Sequence, residues 1–344
     1  MNKKKSKSLL DRFLFLINSI AAILLLVGYL LPYISPIKAP TLAVLSLFIP
    51  AAFIINILFV VFWVIRLKKY FILSTLVIIL GFGYISSIHK FSEKKVILND
   101  DITIMSYNVK MFNHYGWNPN DSIAEKTYDF INEKHPDILV IQEFFGDSKI
   151  SFEYPYQYIK TKSKTNKFGL AIYSTFPIIN SGSLDFENSA NNIIFSDIVK
   201  EEDTMRIYNV HLESLKISPE KENFGEKNSD RLMARMKSAF TQQGYQTEKF
   251  LEHQNKWKGK SIVCGDFNNT AFSWVYKQIS NERQDAFKVA GKGTGRTYNY
   301  GYPIRIDFIL PDQDFTVNHF KTFPVKYSDH FPILARINLK EKSE

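Results

Sequence analysis

The sequence predicts an α+β domain of sandwich-like build, carried behind three transmembrane helices. Three observations predict it. The first 90 residues contain three long charge-free runs, the remainder repeats short apolar, β-branched runs, and stretches of helical spacing separate some of them. With 344 residues, 45% of them apolar and 22% charged, the chain buries a substantial core and is not a largely disordered protein. A single cysteine excludes a disulfide scaffold.

The charge-free runs are Phe13–Leu31, Thr41–Ile65 and Tyr70–Ile88. At about 1.5 Å per residue, each is long enough to cross a hydrocarbon core of about 30 Å. A cleaved signal peptide would account for the first run alone, but two more runs follow and no small-x-small site precedes a mature domain. Buried helices of a soluble protein would show a polar face, and these do not. Residues 1–90 are therefore read as an anchor in the lipid bilayer.

The basic residues orient it. Lys3, Lys4, Lys5, Lys7 and Arg12 precede the first run, Arg66, Lys68 and Lys69 separate the second from the third, and only Lys38 lies between the first two. The positive-inside rule puts the N-terminus and the Arg66–Lys69 turn in the cytoplasm. Three spans then place everything after residue 90 on the opposite face, the periplasm in a bacterium. Lys90, Lys94 and Lys95 run against this bias. Residues 1–95 hold 12 of the 43 basic residues and only two of the 34 acidic ones, so the net charge of +9 belongs to the anchor. The remainder is about neutral and carries no nucleic-acid signature.

After a polar linker at 91–101, strands are expected at ITIMSYN from Ile102, DILVIQ from Asp137, FGLAIYS from Phe168, NIIFSDIV from Asn192, MRIYNVHL from Met205, SIVCGD from Ser261, RIDFIL from Arg305 and PILARINL from Pro332. Helices are expected at Ser122–Lys134, Ser229–Gln254 and Ala271–Ile279. Without an internal repeat or a second boundary, residues 102–340 read as one domain. Polar residues fall in a pattern along the apolar runs: Asn108, Glu143, Asn209 with His211, and Asp266 with Asn268 end four of them, Asp307 lies in a fifth, and Asp329 with His330 precedes the last. Such groups are costly at the ends of buried strands unless something ionic or hydrogen-bonding meets them.

The words SYNVKMFN, IQEFF, YNVHLES, CGDFNN, RIDFIL and SDHFPI, in this order, resemble the endonuclease/exonuclease/phosphatase superfamily with its deoxyribonuclease I-like fold. YSTFPI at Tyr173–Ile178 is similar to a less specific stretch of the same family. The resemblance covers residues 102–340 and leaves the anchor outside. It implies a four-layer α/β/β/α sandwich with catalytic groups along one edge, and a Mg²⁺ cofactor for which Mn²⁺ can substitute. Glu143 would be the principal metal ligand, with Asn108 positioning metal and phosphate and Asp329 serving the metal or its waters. His330 would handle protons and stabilise phosphorane-like charge, its other ring nitrogen held by Asp307. His211 would protonate the leaving oxygen. Asp266 would orient or deprotonate the attacking water, Asn268 would donate to a phosphate oxygen, and Asn209 would support His211 at the phosphate.

Other features carry less. Gly291–Arg296 (GKGTGR) is glycine-rich, but it follows no strand and lacks the Walker ending, so it reads as a loop at the substrate edge. Cys264 lies inside an apolar run and reads as core packing. Lys160, Lys162, Lys164 and Lys167, near Tyr156 and Tyr158, read as a solvated hairpin. The function expected is that of a membrane-anchored, metal-dependent phosphodiesterase acting on a phosphoester substrate. A lipid-linked or envelope phosphodiester is favoured over nucleic acid, because a nuclease groove would be basic. The competing class is a non-catalytic membrane receptor or scaffold that keeps the fold as a binding module. A transporter fits worse, since the spans carry no charged residue for an ion path.

Overall fold

The computed structural model describes residues 9–146, 151–163, 165–187, 189–216, 226–300 and 303–340. Lys164 and the basic residues Lys3, Lys4, Lys5 and Lys7 lie outside the described residues. Eleven described strands form two sheets: β1 (Ile102–Asn108), β2 (Ile138–Phe145), β3 (Tyr156–Thr161), β4 (Phe168–Ser174), β5 (Ile178–Ser183), β6 (Asn192–Lys200), β7 (Asp203–His211), β8 (Lys260–Asp266), β9 (Asp307–Pro311), β10 (Phe315–Thr322) and β11 (Ile333–Leu339). One sheet has the order β10-β11-β1-β2-β4-β3 and the other β5-β6-β7-β8-β9. Only β1 with β2 and β7 with β8 pair parallel.

Strands alternate their side chains between two faces, so each run serves two layers. Ile102, Ile104, Ile138, Val140, Ile207, Ile262, Cys264 and Ile309 pack between the sheets. Met105, Tyr107, Leu139 and Ile141 point outward to Phe130 and Ile131 of a helix at Ile123–Lys134. Tyr208, Val210, Val263 and Phe308 point outward to Phe250, Val275 and Ile279 of two others, at Glu226–Gln254 and Trp274–Ile279. The result is the expected α/β/β/α sandwich. The Trp274–Ile279 helix starts three residues later than its spacing predicts, because the Ser273 hydroxyl caps it by accepting from Tyr276 N at 3.1 Å.

Three strands carried no apolar run in the sequence: β3, β5 and β10. All three are sheet edges. An edge strand has one neighbour and a wetter face, so it does not need a continuous apolar stretch.

In the anchor, α1 (Leu9–Gly28), α2 (Pro40–Leu45), α3 (Ile49–Ile65), α4 (Phe71–Leu80) and α5 (Phe82–Ile88) precede the helices α6 (Ile123–Lys134), α7 (Glu226–Gln254), α8 (Trp274–Ile279) and α9 (Ala286–Ala290). The segments Leu9–Tyr33 and Pro40–Ile65 are long and apolar enough to cross a membrane. The third expected span is not one straight helix, since α4 and α5 meet at a bend of 77°. The bend falls at Gly81, between the two helices. The ring of Tyr29 occupies the space that a Cβ there would need, and its hydroxyl donates to Val77 O at 3.0 Å. A buried polar chain ties the helices together: Trp63 Nε1 donates to Asn18 Oδ1 (2.8 Å), Asn18 Nδ2 to Ser74 Oγ (2.5 Å) and Ser74 Oγ to Asn56 Oδ1 (2.8 Å).

The anchor and the sandwich make several contacts. Val44 of α2 packs on Met236 and Phe240 of α7. Phe272, six residues beyond Asp266, inserts among Leu25, Leu31, Ile49 and Phe53 of the bundle. Lys90 pairs with Gly293 through two backbone hydrogen bonds of 2.8 and 2.9 Å. The stretch expected as a polar linker is strapped to the sandwich, with Lys94 Nζ donating to Val317 O and buried Asp101 accepting from Arg336 and Asn318.

Gly265 adopts φ +137°, with Val210 O 2.0 Å from where a Cβ would sit. Gly265→Ala is expected to lower stability by about 1–3 kcal/mol and to displace Asp266. Thermal unfolding of the full-length protein in detergent checks this, and an unchanged Tm would contradict it.

Candidate active site

Along the inward row of each strand, residue type changes from apolar to polar toward one edge. β1 runs Ile102, Ile104, Ser106, Asn108; β7 runs Met205, Ile207, Asn209, His211; β8 runs Ile262, Cys264, Asp266. β9 is antiparallel to β8 and therefore begins at that edge, with Asp307. The register sets His211 opposite Asp266, and Asp266 opposite Asp307. Three strand neighbours thus place an imidazole and two carboxylates side by side, all buried.

Glu143 reaches the edge by a different device. The pairing of β2 with β4 slips between Ile141 and Phe144, and Glu143 takes φ +48°. The bulge turns its carboxylate toward Asn108, whose Nδ2 donates to Glu143 Oε1 at 3.2 Å and to Asp266 Oδ2 at 3.0 Å. Asn268, also left-handed at φ +48°, donates its backbone N–H to Asp266 Oδ1 (2.8 Å) and its side chain to Leu212 O (3.0 Å) and Asp266 Oδ2 (3.3 Å). Just past β1, Lys110, Met111, Phe112 and Asn113 all have φ between +45° and +63°. This left-handed turn carries the Lys110 ammonium back to Asp329, at 2.6 Å.

His330 is fixed from two sides. Its Nδ1 donates to Asp307 Oδ2 at 2.9 Å, and the edge of the Tyr298 ring packs on it with centroids 5.1 Å apart. Its Nε2 lies 3.6 Å from Asp266 Oδ2. Thr297 Oγ1 accepts from the backbone N–H groups of Ile306 (3.0 Å) and Asp307 (3.1 Å). Ser328 Oγ donates to Asn108 O at 2.7 Å and thereby joins the last turn to the first strand.

The two histidines are driven in opposite directions. Burial alone would favour neutral His330, but the charges of Asp307 and Asp266 override it and hold its pKa well above the ordinary value. For His211, burial and then the charge of His330 press the pKa down to about 3. Its Nε2 has no hydrogen-bond partner among the described residues, yet lies 3.8 Å from Asp266 and 3.9 Å from Glu143. Burial raises Asp266, opposed by the charge of His330 and reinforced by that of Asp307. Glu143 is raised by burial and then by the charge of Asp329.

The donor set fits a hydrated divalent cation. Two carboxylates lifted by burial share a single amide bridge, and a buried ring nitrogen between them is unpartnered. Ligand atoms of Asp266, Asp307 and His330 also lie within 4.8 Å of one another. Within that trio Asp307 is engaged by His330, which leaves Asp266, with Glu143 across the Asn108 bridge, as a carboxylate able to turn toward a cation.

Asn108, Glu143, His211, Asp266, Asn268, Asp307, Asp329 and His330 meet at this edge, with Asp329 engaged by Lys110. Asn209 does not reach it. Its Nδ2 donates to Ile141 O (2.8 Å) and Ala171 O (2.9 Å), and its Oδ1 accepts from Gln142 at 2.8 Å. It sits one layer beneath the edge and braces the β2 bulge that presents Glu143. Lys110, Thr297, Ser328 and Gln142 escaped the sequence reading. Ser328 opens the SDH word and was within reach of it, whereas nothing local separates Lys110 from other surface lysines.

A four-layer sandwich with these groups on one edge defines the deoxyribonuclease I-like class of fold. A sequence profile described as the Endonuclease/Exonuclease/phosphatase family matches residues 105–330, and the chain belongs to that family. A second profile, described as a domain of unknown function (DUF8431), matches residues 11–88. No curated protein matches the sequence. Similar solved structures include the human Nocturnin catalytic domain with bound sulfate, at 17% identity over 73% of this chain and 97% of that one, with a TM-score of 0.53. An endonuclease/exonuclease/phosphatase from Bacteroides vulgatus is 17% identical over 70% of this chain and 99% of that one, with a TM-score of 0.53. A functionally unknown conserved protein from Enterococcus faecalis V583 is 18% identical over 69% of this chain and 100% of that one, with a TM-score of 0.51. These likenesses establish the fold.

Asp307→Asn removes the charge that holds the His330 proton. In metal-free buffer, the wild-type imidazole is expected to stay protonated through neutral pH, whereas in the variant it should titrate at a lower pH. NMR of the imidazole resonances reports this, and identical titration curves would contradict the assignment.

Proposed function

We propose that the protein is a membrane-anchored, divalent-metal-dependent phosphodiesterase. The observation that carries this reading is a pair of buried histidines flanking Asp266, with Nε2 atoms 3.6 Å and 3.8 Å from its Oδ2. A cation held by Glu143, with Asn108 and Asp329 beside it, would draw negative charge from the phosphoryl oxygens. Asp266, lifted by burial, takes a proton from the attacking water as the water oxygen bonds to phosphorus and the ester P–O bond breaks in line. His330, kept protonated by Asp307, gives its Nε2 proton to the leaving oxygen. Asp266 then returns the water's proton to His330, restoring both groups. His211, too deeply buried to carry charge, acts as a neutral N–H donor to a phosphoryl oxygen, alongside Asn268. This replaces the leaving-group acid role expected of His211 from the sequence.

The anchor supports an extracytoplasmic site. Arg66 and Lys68 close on buried Asp11 at 3.0 and 3.2 Å, at the end of α1 and α3 away from the sandwich. The positive end of the bundle and the catalytic domain thus lie at opposite ends of the spans. A lipid-linked or envelope phosphodiester is favoured because the catalytic part is tethered directly beside the apolar spans.

Full-length protein in detergent is expected to hydrolyse bis(4-nitrophenyl) phosphate with Mg²⁺ or Mn²⁺ and to lose the activity in EDTA. His330→Ala should lower kcat by about 10²–10⁴-fold. Folded protein that binds metal but is inert on bis-aryl phosphodiesters, nucleic acids and phospholipids would instead identify a binding module. Alkaline phosphatase fused to the C-terminus should be active, and an inactive fusion would move the site to the cytoplasm.

A further inference from the structure

The Gly291–Arg296 loop separates two spaces that the reaction above leaves unused. On one side is an apolar cavity of about 360 Å³, walled by Leu47, Pro50 and Ile54 from the outer part of the bundle, Ile88 of α5, and Phe272 and Ile304 from the catalytic edge. Its size lies in the range of about 300–1,000 Å³ typical of small-molecule sites. On the other side is a polar groove of about 730 Å³, lined by Lys95, Lys292, Arg296, Lys321 and Lys326. Among the described residues the one carboxylate lining that groove, Glu93, is bound to His319 at 2.9 Å. Thr294 lines both spaces.

Both spaces adjoin the catalytic residues through short lengths of chain. Phe272 and Asp266 belong to one loop. Ile304 O accepts from Thr297 and Tyr298, and Tyr298 packs on His330. Phe331, the residue after His330, lines the basic groove. One residue of the apolar cavity's wall is also exposed on the outside of the helical bundle. Ile54 is 47% exposed and stands five residues into α3, about 7–8 Å from the outer end of that helix. A cavity bounded by a membrane helix on one wall and by the active-site loops on the other is accessible to a hydrocarbon chain that stays at bilayer depth.

We propose that this junction cavity is a chain-binding subsite, and that the substrate is a membrane lipid phosphodiester whose hydrocarbon chain enters beside Ile54 while its anionic head group lies toward the lysine groove. The proposal rests on the phosphodiesterase reading of the edge and specifies its substrate class. It assigns the anchor a share in substrate recognition as well as in tethering, because one wall of the subsite is α3.

The test uses full-length protein in phosphatidylcholine vesicles and two chromogenic diesters, methyl 4-nitrophenyl phosphate and dodecyl 4-nitrophenyl phosphate. The dodecyl ester is expected to show a KM at least about tenfold lower than the methyl ester. Ile54→Trp, which fills the mouth of the cavity, should erase that preference while leaving kcat/KM for the methyl ester unchanged. Ile79→Trp, on a lipid-exposed position of α4 outside the cavity, controls for partition of the ester into the vesicle and should keep the preference. Equal KM for the two esters, a preference that survives Ile54→Trp, or one lost equally in Ile79→Trp overturns the subsite and leaves the phosphodiesterase reading standing. Failure to cleave either ester overturns both.

Discussion

Two carboxylates, Asp266 and Asp307, stand directly opposite one another on paired buried strands, and the rest of the edge answers to that placement. Side by side in a low-dielectric interior, such groups repel and are poorly solvated, so each needs its own compensation. Asp307 has it in the imidazole of His330, hydrogen-bonded at 2.9 Å, and Asp266 has it in the amides of Asn108 and Asn268. Neither solution holds without further support. The Thr297 hydroxyl gathers the backbone ahead of β9, and Ser328 ties the His330 turn to β1. Two sheets and three loops are cross-linked by the requirements of two acids.

The same requirement explains why much of the site was legible in the sequence. A period-two strand keeps its face along its length, so a polar residue ending an apolar run must lie at the edge of the sandwich. Asn108, His211 and Asp266 follow that rule, and Asp307 reaches the same edge because it begins the antiparallel β9. Asn209 shows its limit, because two residues before His211 is the same face but one layer deeper. There the amide meets strand carbonyls exposed by the β2 bulge instead of substrate. Glu143 ends the apolar run of β2, but a bulge breaks the alternation there, so the direction its carboxylate takes is not read from period-two spacing. The edge strands β3, β5 and β10 were silent for a related reason: with one neighbour each, their sequences are not obliged to be apolar.

In the anchor, composition revealed the apolar runs but not their geometry. The 77° bend between α4 and α5 depends on Tyr29, some fifty residues earlier in the chain, lying over Gly81. No local pattern at residues 70–88 encodes that contact. The docking of the bundle on the sandwich is equally non-local. Phe272 looks like the first turn of a helix in sequence, yet Ser273 starts α8 after it and frees the phenyl ring to enter the bundle. Because Phe272 follows Asp266 by six residues, the anchor is pinned to the catalytic edge and not to a distant face.

Six of the twelve described non-glycine residues with positive φ lie in this region. Glu143, Asn268 and the four residues Lys110–Asn113 occupy left-handed backbone, which costs non-glycine residues about 1–2 kcal/mol each. The chain accepts that cost where a carboxylate, an amide and an ammonium must converge from loops that regular strands would carry past the site. Buried aromatic contacts hold the turn: Phe112 lies against Phe144 and Phe152, with centroids 5.9 and 6.3 Å away. Asn113 closes it by accepting from Asn118 N and donating to Asn118 O, both at 2.9 Å. The charged groups are therefore placed by packing and hydrogen bonds made outside the site, so the edge is preorganised by the fold itself.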